Sequence, residues 1–386
     1  MSDGPLKGIV VLEFQGLAPA PFCGMILRDF GARVIRVDRV FNGEAQSLDF
    51  DVLSRGKETI AVDLKSKAGV EVVKRLCKNA NVIIEPYRPG VMEKLGLSPK
   101  DLHEVNRKLI YARLTGFGQT GDKYHKMVGH DINFLALSGM LSLFGRSNDK
   151  PLFPGNLLAD MAGGGLMCAL GILLSLLDKN NLDKIVDCSM MSSVSYLGTF
   201  PYLLKLHTDL LDQPRGRNFI DSGSHYYEVY QTKDNKYITV GAIEPHFYEK
   251  LLVKMGFTQD QIKQFPEQND KSSWESMKIE FQKQFLTKTR DEWEQVFINS
   301  ECCVAPLLEV EELKKHPHTR QLIMDSENSI KPQPNLSFYQ PKPNNTLIKI
   351  SGLNTVPVLK EFGFSPAEID TLKSKKIIPV NLNSQL

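Results

Sequence analysis

Between Ile9 and Leu114, apolar runs of four to six residues alternate with stretches of helical period. The runs Ile9–Phe14, Val34–Asp38, Thr59–Leu64, Val82–Glu85 and Leu109–Leu114 read as strands. Pro21–Phe30 and Gly69–Lys78 between them read as helices. Strands separated by helices join through crossovers, so the pattern predicts a parallel sheet with helices on its faces. The near-continuous run Gly8-Ile9-Val10-Val11-Leu12-Glu13-Phe14 suits a strand buried on both sides.

Downstream, a long apolar helix is expected from Asp160 to about Leu177. Past residue 180 the texture changes. Tyr226–Gln231 and Tyr237–Ala242 are β-rich and flank Lys233-Asp234-Asn235, a hairpin signal. Helical patterns containing Trp274 and Trp293 follow, so this block reads as a smaller α+β domain. Lys331 to Asn345 is rich in proline and asparagine and reads as an extended connection. Val356–Phe362 and Pro366–Lys373 close the chain as helices.

Composition removes several function classes. Lysine plus arginine number 47 and aspartate plus glutamate 45, a net charge of +2, which argues against a nucleic-acid binder. The cysteines Cys23, Cys77, Cys168, Cys188, Cys302 and Cys303 form no CxxC, so neither a zinc site nor a redox dithiol is expected. The N-terminus lacks a basic stretch followed by a signal-type apolar run. The apolar run Gly163 to Leu177 is too short to span a bilayer. A soluble intracellular protein without a membrane partner is the expectation. The C-terminal Ser384-Gln385-Leu386 resembles the Ser-Lys-Leu peroxisomal address, with glutamine in place of the basic residue.

The first strand–helix turn, Gln15-Gly16-Leu17-Ala18-Pro19-Ala20-Pro21, lacks GxGxxG, and its prolines remove N–H groups that would cradle a pyrophosphate. A nicotinamide site is therefore disfavoured. Basic residues at strand ends (Arg36, Arg39, Arg55, Lys57, Lys65, Arg88) instead sketch a groove for a ligand with several phosphates, with Tyr87 able to pack on an adenine. Each is also readable as a solvated strand-end charge. Gly129-His130-Asp131 opens a helix, where a lone histidine is often structural and Asp131 suits the macrodipole. Asp160 precedes Met161-Ala162-Gly163-Gly164-Gly165 and is readable as an N-cap. Three glycines in first turns are costly and predict close approach of a ligand to the backbone, with N–H groups available to an oxyanion. Glu244 ends a strand just before a helix beginning at Pro245. A serine nucleophile in Asp221-Ser222-Gly223-Ser224-His225 is rejected for want of a GxSxG elbow. His316 and His318 lack further metal ligands at suitable spacing.

Taken together, several motifs resemble the family III CoA-transferase (CaiB/BaiF-like) superfamily, and within it the branch that racemises α-methylacyl-CoA thioesters. They are Leu6–Glu13, Glu85-Pro86-Tyr87-Arg88-Pro89-Gly90-Val91, Leu114–Gly121, Gly129-His130-Asp131-Ile132-Asn133, the Asn156–Gly165 stretch, Gly241–Pro245 and the closing Val358–Lys373. The resemblance implies a Rossmann-like parallel-sheet large domain with a smaller α+β domain, and two interlocked chains. On that basis residues 1–195 form the N-terminal part of the large domain and 196–221 a linker. Residues 222–318 form the small domain, and 319–386 return to the large one. The active site is implied to lie between one chain's large domain and the other's small domain.

The resemblance also implies roles. His130 and Asp160 would be the catalytic bases, with Glu244 supporting the histidine and Asn156 alongside. Arg36, Arg55, Lys65, Tyr87 and Arg88 would hold CoA. Two positions depart from the family pattern: Asp221-Ser222-Gly223-Ser224 replaces a loop usually containing two glycines, and Phe134 stands where tyrosine is common. The substrate would be an acyl-CoA, and no metal or organic cofactor is expected.

Racemisation needs one group to remove the C2 proton and another to deliver one on the opposite face. Imidazole, near 6.5, is suited to this; a carboxyl near 3.9 must be raised. Desolvation raises it and a helix N-terminus lowers it, and desolvation by the acyl chain is expected to dominate at Asp160. The Asp160 N–H with Gly163 and Gly164 is the expected oxyanion site, and Met161, Met190 and Met191 are candidates for an adaptable acyl wall. A CoA-transferase using Asp160 as nucleophile and a non-catalytic CoA-binding protein remain as alternatives.

Overall fold

The computed structural model describes residues 4–46, 51–324, 329–341 and 346–380. The targeting-like tripeptide Ser384-Gln385-Leu386 lies outside them. Two compact units share the described chain. The first holds residues 1–138, 154–197 and 322–386, and the second 139–153 and 198–321. The stretch 196–221, expected as a linker, belongs mostly to the second unit, as does 139–153.

The first unit begins with β1 (Val10–Phe14), α1 (Pro19–Asp29), β2 (Arg33–Phe41), the short β3 (Glu44–Ala45), β4 (Glu58–Val62), α2 (Lys67–Cys77) and β5 (Val82–Glu85). It continues with α3 (Val91–Leu95), α4 (Pro99–Val105), β6 (Ile110–Thr115) and α5 (Asp131–Leu137). A π-helix (Leu157–Leu166) runs into α6 (Met167–Leu177), followed by β7 (Ile185–Ser189) and α7 (Met190–Leu197). Across the sheet the order is β4, β2, β1, β5, β6, β7, all parallel, with β3 antiparallel on the end of β2. The chain winds outward from β1 toward β4, then returns to place β5 on the other side of β1. The crevice beyond the carboxyl ends of β1 and β5 is thus the topological switch point, where open α/β sheets bind ligands.

Both sheet faces are covered, which explains the unbroken apolar strands. Leu12, Phe14, Ile35, Val37, Ile60 and Ile83 pack in the core with the Val73 and Leu76 side of α2. On the opposite face Glu13 is wholly buried against α1. Its carboxylate accepts two bonds from Lys57 Nζ at 2.7 and 2.9 Å, and the same ammonium donates to the Pro21 carbonyl at 2.8 Å. Gly24 of α1 makes room for this pair, since a Cβ there would fall 1.6 Å from Glu13 Oε2.

The helix expected from Asp160 starts earlier. The continuous Leu157–Leu177 helix has 21 residues and is long and apolar enough to cross a membrane, which the shorter run Gly163 to Leu177 is not. Its glycine face is buried, packed on α1 and α7. Its opposite side is open: Leu166, Leu170, Leu174 and Leu177 are exposed.

The second unit contains α8 (Thr199–His207), β8 (Tyr227–Gln231), β9 (Tyr237–Gly241), α9 (Pro245–Met255), α10 (Gln259–Gln264), α11 (Trp274–Phe285), α12 (Arg290–Phe297) and β10 (Val304–Pro306). The three strands are antiparallel in the order β10, β9, β8. The β8–β9 hairpin turns through Lys233-Asp234-Asn235, with Asn235 in the left-handed region at φ 60°. Both tryptophans are buried, and their indole N–H groups donate to the carbonyls of Gln268 (3.0 Å) and Phe285 (2.8 Å). The chain then returns to the first unit through β11 (Ile323–Met324) and β12 (Ser329–Ile330), ending in α13 (Thr355–Glu361) and α14 (Pro366–Ser374).

His225 sits at the centre of the second unit's aromatic core. It is fully buried beside Tyr226, Tyr248 and Phe281, with Nε2 2.8 Å from the Tyr248 hydroxyl. Burial, with the Lys278 charge, pushes its imidazole down to about 3. The unfolded chain takes up this proton near 6.5, and the folded chain resists until about 3. Stability is therefore present above 6.5 and is lost as pH falls through that window, by on the order of 4 kcal/mol. Urea unfolding followed by tryptophan fluorescence at pH 7 and pH 4 is expected to show this loss, and His225→Phe is expected to lessen it. Equal pH dependence in both proteins contradicts the assignment.

Candidate active site

A cavity of about 320 Å³ opens at the switch point. The β1–α1 turn contributes Leu17, Pro19 and Ala20, and the β5–α3 turn contributes Pro86, Tyr87, Arg88 and Pro89. The end of β6 adds Leu114 to Phe117. Further along, His125, Met127 and Val128 reach the rim, and His130, Phe134, Asp160 and Met190 complete the lining. Leu17, Met127 and Val128 are 69%, 51% and 65% exposed, so the cavity has an open apolar lip.

His130 and Asp160 therefore share one cavity. Each is set by the start of a helix. His130 is the residue before α5, and Asn133 Oδ1 accepts its backbone N–H at 3.0 Å. Asp160 lies in the first turn of the π-helix. The carboxylate of Asp131 joins the two starts, with Oδ2 accepting the N–H groups of Ala159 (2.7 Å) and Asp160 (2.8 Å). Asn156, the residue before the π-helix, donates to Asp160 Oδ2 at 3.5 Å. Burial raises the Asp160 carboxyl above its ordinary value, and the neighbouring Asp131 charge adds to the rise. The Asn156 hydrogen bond and the His130 charge oppose it. Burial thus outweighs the opposing influences of Asn156 and His130.

Two observations bear on the expected oxyanion site. The Asp160 N–H is already engaged by Asp131. Gly163 and Gly164 are buried, with helix packing as the reason for their size. A Cβ on Gly163 would meet Val194 Cγ2 at 2.8 Å, and one on Gly164 would meet Met190 Cγ and Pro19 Cβ at 3.0 Å. Gly165 is similarly closed by Phe22 and the Pro19 carbonyl. The glycines let α1 and α7 approach the π-helix closely, and no ligand need be invoked for them.

The basic groove is also narrower than the sequence suggested. Tyr87 and Arg88 line the cavity. Arg36 does not: it is 2% exposed and ion-paired with Asp38 and Asp51. Arg55 is buried against Asp29, donating through Nε at 3.0 Å and also to Ser329 and the Ile330 carbonyl. Lys65 is exposed beyond the edge strand β4, away from the cavity lining. Position along β2 accounts for Arg36. It lies mid-strand, where residues 34–38 of β2 are buried on both faces, while Arg39 nearer the carboxyl end is exposed with its guanidinium 5.7 Å from the Tyr87 ring. Tyr87 also meets Phe14 edge-on at 5.9 Å. Of the candidate methionines, Met190 lines the cavity and Met161 and Met191 do not. Glu244 is exposed in the second unit, as the residue before α9.

Of three further side chains near this site, sequence reasoning names Arg39 in the basic groove, takes Asp131 only as a helix-start acid, and passes over His125. His125 lines the cavity, Arg39 stands beside Tyr87, and Asp131 ties the helices together. Nothing local signals the bonds of Asp131, which cross 28 and 29 residues of chain.

A parallel sheet with a cavity at its switch point, a histidine and a raised aspartate in that cavity, and no dinucleotide turn describe a known class. The chain belongs to CoA-transferase family III, whose profile matches residues 6–340. It is 45% identical over 383 residues to human alpha-methylacyl-CoA racemase, covering 97% of this chain and 98% of that one. The solved structure of Rv3272 from Mycobacterium tuberculosis superposes with a TM-score of 0.76 at 26% identity, covering 92% of this chain and 99% of that one. A CaiB/BaiF family protein from Brucella suis shares the fold, with a TM-score of 0.77 at 21% identity, covering 93% and 99%.

Proposed function

We propose that this chain is an isomerase that interconverts the R and S forms of 2-methyl-branched acyl-CoA thioesters. The observation that carries this reading is that His130 and Asp160 line one cavity, with the Asp160 carboxyl raised above its ordinary value by burial. One group takes the C2 proton and its electron pair moves into the thioester carbonyl, giving an enolate. The other group protonates C2 from the opposite face, and the enolate collapses to the inverted thioester. Each turnover exchanges the protonation states of the two groups. These steps require no metal or organic cofactor, and CoA enters only as part of the substrate.

Tyr87 and Arg88 lie where the CoA end would be received, and Leu17, Met127, Val128 and Met190 offer an apolar wall for the acyl chain. In the interlocked homodimer that the resemblance implies, Glu244 of a second copy would orient His130. Two apolar surfaces favour a second copy. The leucine stripe on the long helix is exposed, as are Phe200, Tyr202, Leu203 and Leu206 of α8.

Incubation of a single enantiomer of a 2-methylacyl-CoA with the protein in D2O is expected to bring deuterium to C2 with loss of configuration. Movement of CoA to a second carboxylic acid without exchange at C2 would instead establish a transferase acting through Asp160.

A further inference from the structure

Asp131 is adjacent to one base in sequence and bonded to the other through space. It is the first residue of α5, directly after His130, and only 4% exposed. Its Oδ2 holds the Ala159 and Asp160 amides, while Oδ1 is buried with no hydrogen-bond partner among the described residues. Serine or asparagine would cap a helix start equally well. A carboxylate differs from them by a full negative charge, placed beside a second carboxyl in a partly desolvated cavity.

Resting on the racemase reading above, we infer that Asp131 is a positioning residue for the acid–base step. It fixes Asp160 in the cavity shared with His130 and supplies the negative charge that favours a proton on the Asp160 carboxyl. Like charges at short range resist joint ionisation, and this effect acts on Asp160 in addition to burial.

The groups facing Asp160 come from few elements. Asp131 belongs to α5 and His130 precedes it, while Asn156 precedes the π-helix. The cavity wall adds Tyr87, Arg88 and His125. The thiol of Cys188 on β7 meets the carbonyls of Gly163 and Gly164 at 3.6 Å, away from the carboxyl, and the neighbouring thiols are Cys168 of α6 and Cys23 of α1. The charge of Asp131 is thus the feature that distinguishes this cap from a neutral one.

The test compares full-length protein with Asp131→Asn and Asp131→Ser, each checked for native thermal unfolding. The Asp160 carboxyl is titrated by carbon-13 NMR, assigned by its absence in Asp160→Asn. In parallel, kcat and KM for C2 deuterium exchange are measured against pH. In Asp131→Asn, Asp160 is expected to titrate on the order of one pH unit lower. The acidic limb of the rate profile should move with it, kcat should fall about tenfold, and KM should stay within about twofold. Superimposable titrations and profiles for wild type and Asp131→Asn overturn the inference and leave Asp131 as a plain cap. If Asp131→Asn does not fold, Asp131→Ser carries the same comparison. If neither folds, the wild-type titrations must show coupled steps for Asp131 and Asp160, and independent curves overturn the inference. Absence of exchange in the wild type would remove the racemase reading while the NMR titration still decides the Asp131–Asp160 coupling.

Discussion

His130→Ala is expected to lower inversion at C2 by about a thousandfold or more while leaving exchange on one face of the substrate. Loss of a positioned acid–base group typically costs 10²–10⁴-fold. With imidazole gone, Asp160 retains a carboxyl in the cavity and can remove and return the proton on its own side. One enantiomer should therefore pick up deuterium with retained configuration, and the other should be inert. Asp160→Asn should give the mirror result, with exchange confined to the opposite enantiomer. Proton NMR of each enantiomer in D2O, followed by chiral separation, measures both quantities. Wild-type inversion by His130→Ala contradicts two-base chemistry, and so does exchange of the same enantiomer by both variants. A transferase predicts a different pair of results, because its nucleophile is Asp160 and the His130 change should spare CoA transfer.

Lys57→Met is expected to destabilise the first unit by about 3–5 kcal/mol, the range seen when one member of a buried ion pair is removed. Folded proteins hold only about 5–15 kcal/mol in total, so most of the protein should be recovered insoluble at 37 °C. Both side chains of the Glu13–Lys57 pair are fully buried. Burial drives the Glu13 carboxyl up and the Lys57 ammonium down, and mutual attraction opposes it on both sides. Without Lys57 the carboxyl is stranded beneath α1. The Pro21 carbonyl also loses its partner, just after the Pro19 and Ala20 that line the cavity. The double variant Glu13→Gln with Lys57→Met removes the stranded charge and should regain most of the loss. Urea unfolding of the three proteins decides the matter, and a single variant as stable as wild type would refute the argument.

Much of this architecture is legible in the sequence because it rests on period and punctuation. Alternating strands and helices require crossovers, and the Lys233-Asp234-Asn235 turn carries a residue suited to the left-handed conformation. What escapes is information held in pairs of distant elements. Arg36 looked like a phosphate ligand because its charge is visible, whereas its burial and its pairing with Asp38 and Asp51 depend on the sheet around it. The Gly163–Gly165 run looked like a ligand approach because close crossing of α1 and α7 cannot be read from one segment. For the same reason residues 139–153, far in sequence from 198–321, gave no sign of joining the second unit. The positions of His130 and Asp160 followed from the resemblance; their shared cavity and the Asp131 bridge required the fold.

The open apolar lip has a practical consequence for altering what this protein accepts. Leu17, Met127 and Val128 pack against little, so exchanging them should cost the fold no more than about 0.5 kcal/mol each. Behind Asp160 the π-helix tolerates no such change, because Gly163, Gly164 and Gly165 leave no volume for a larger side chain where it packs on α1 and α7. Substitutions at the entrance can therefore vary while the helix start that carries Asp160 stays fixed.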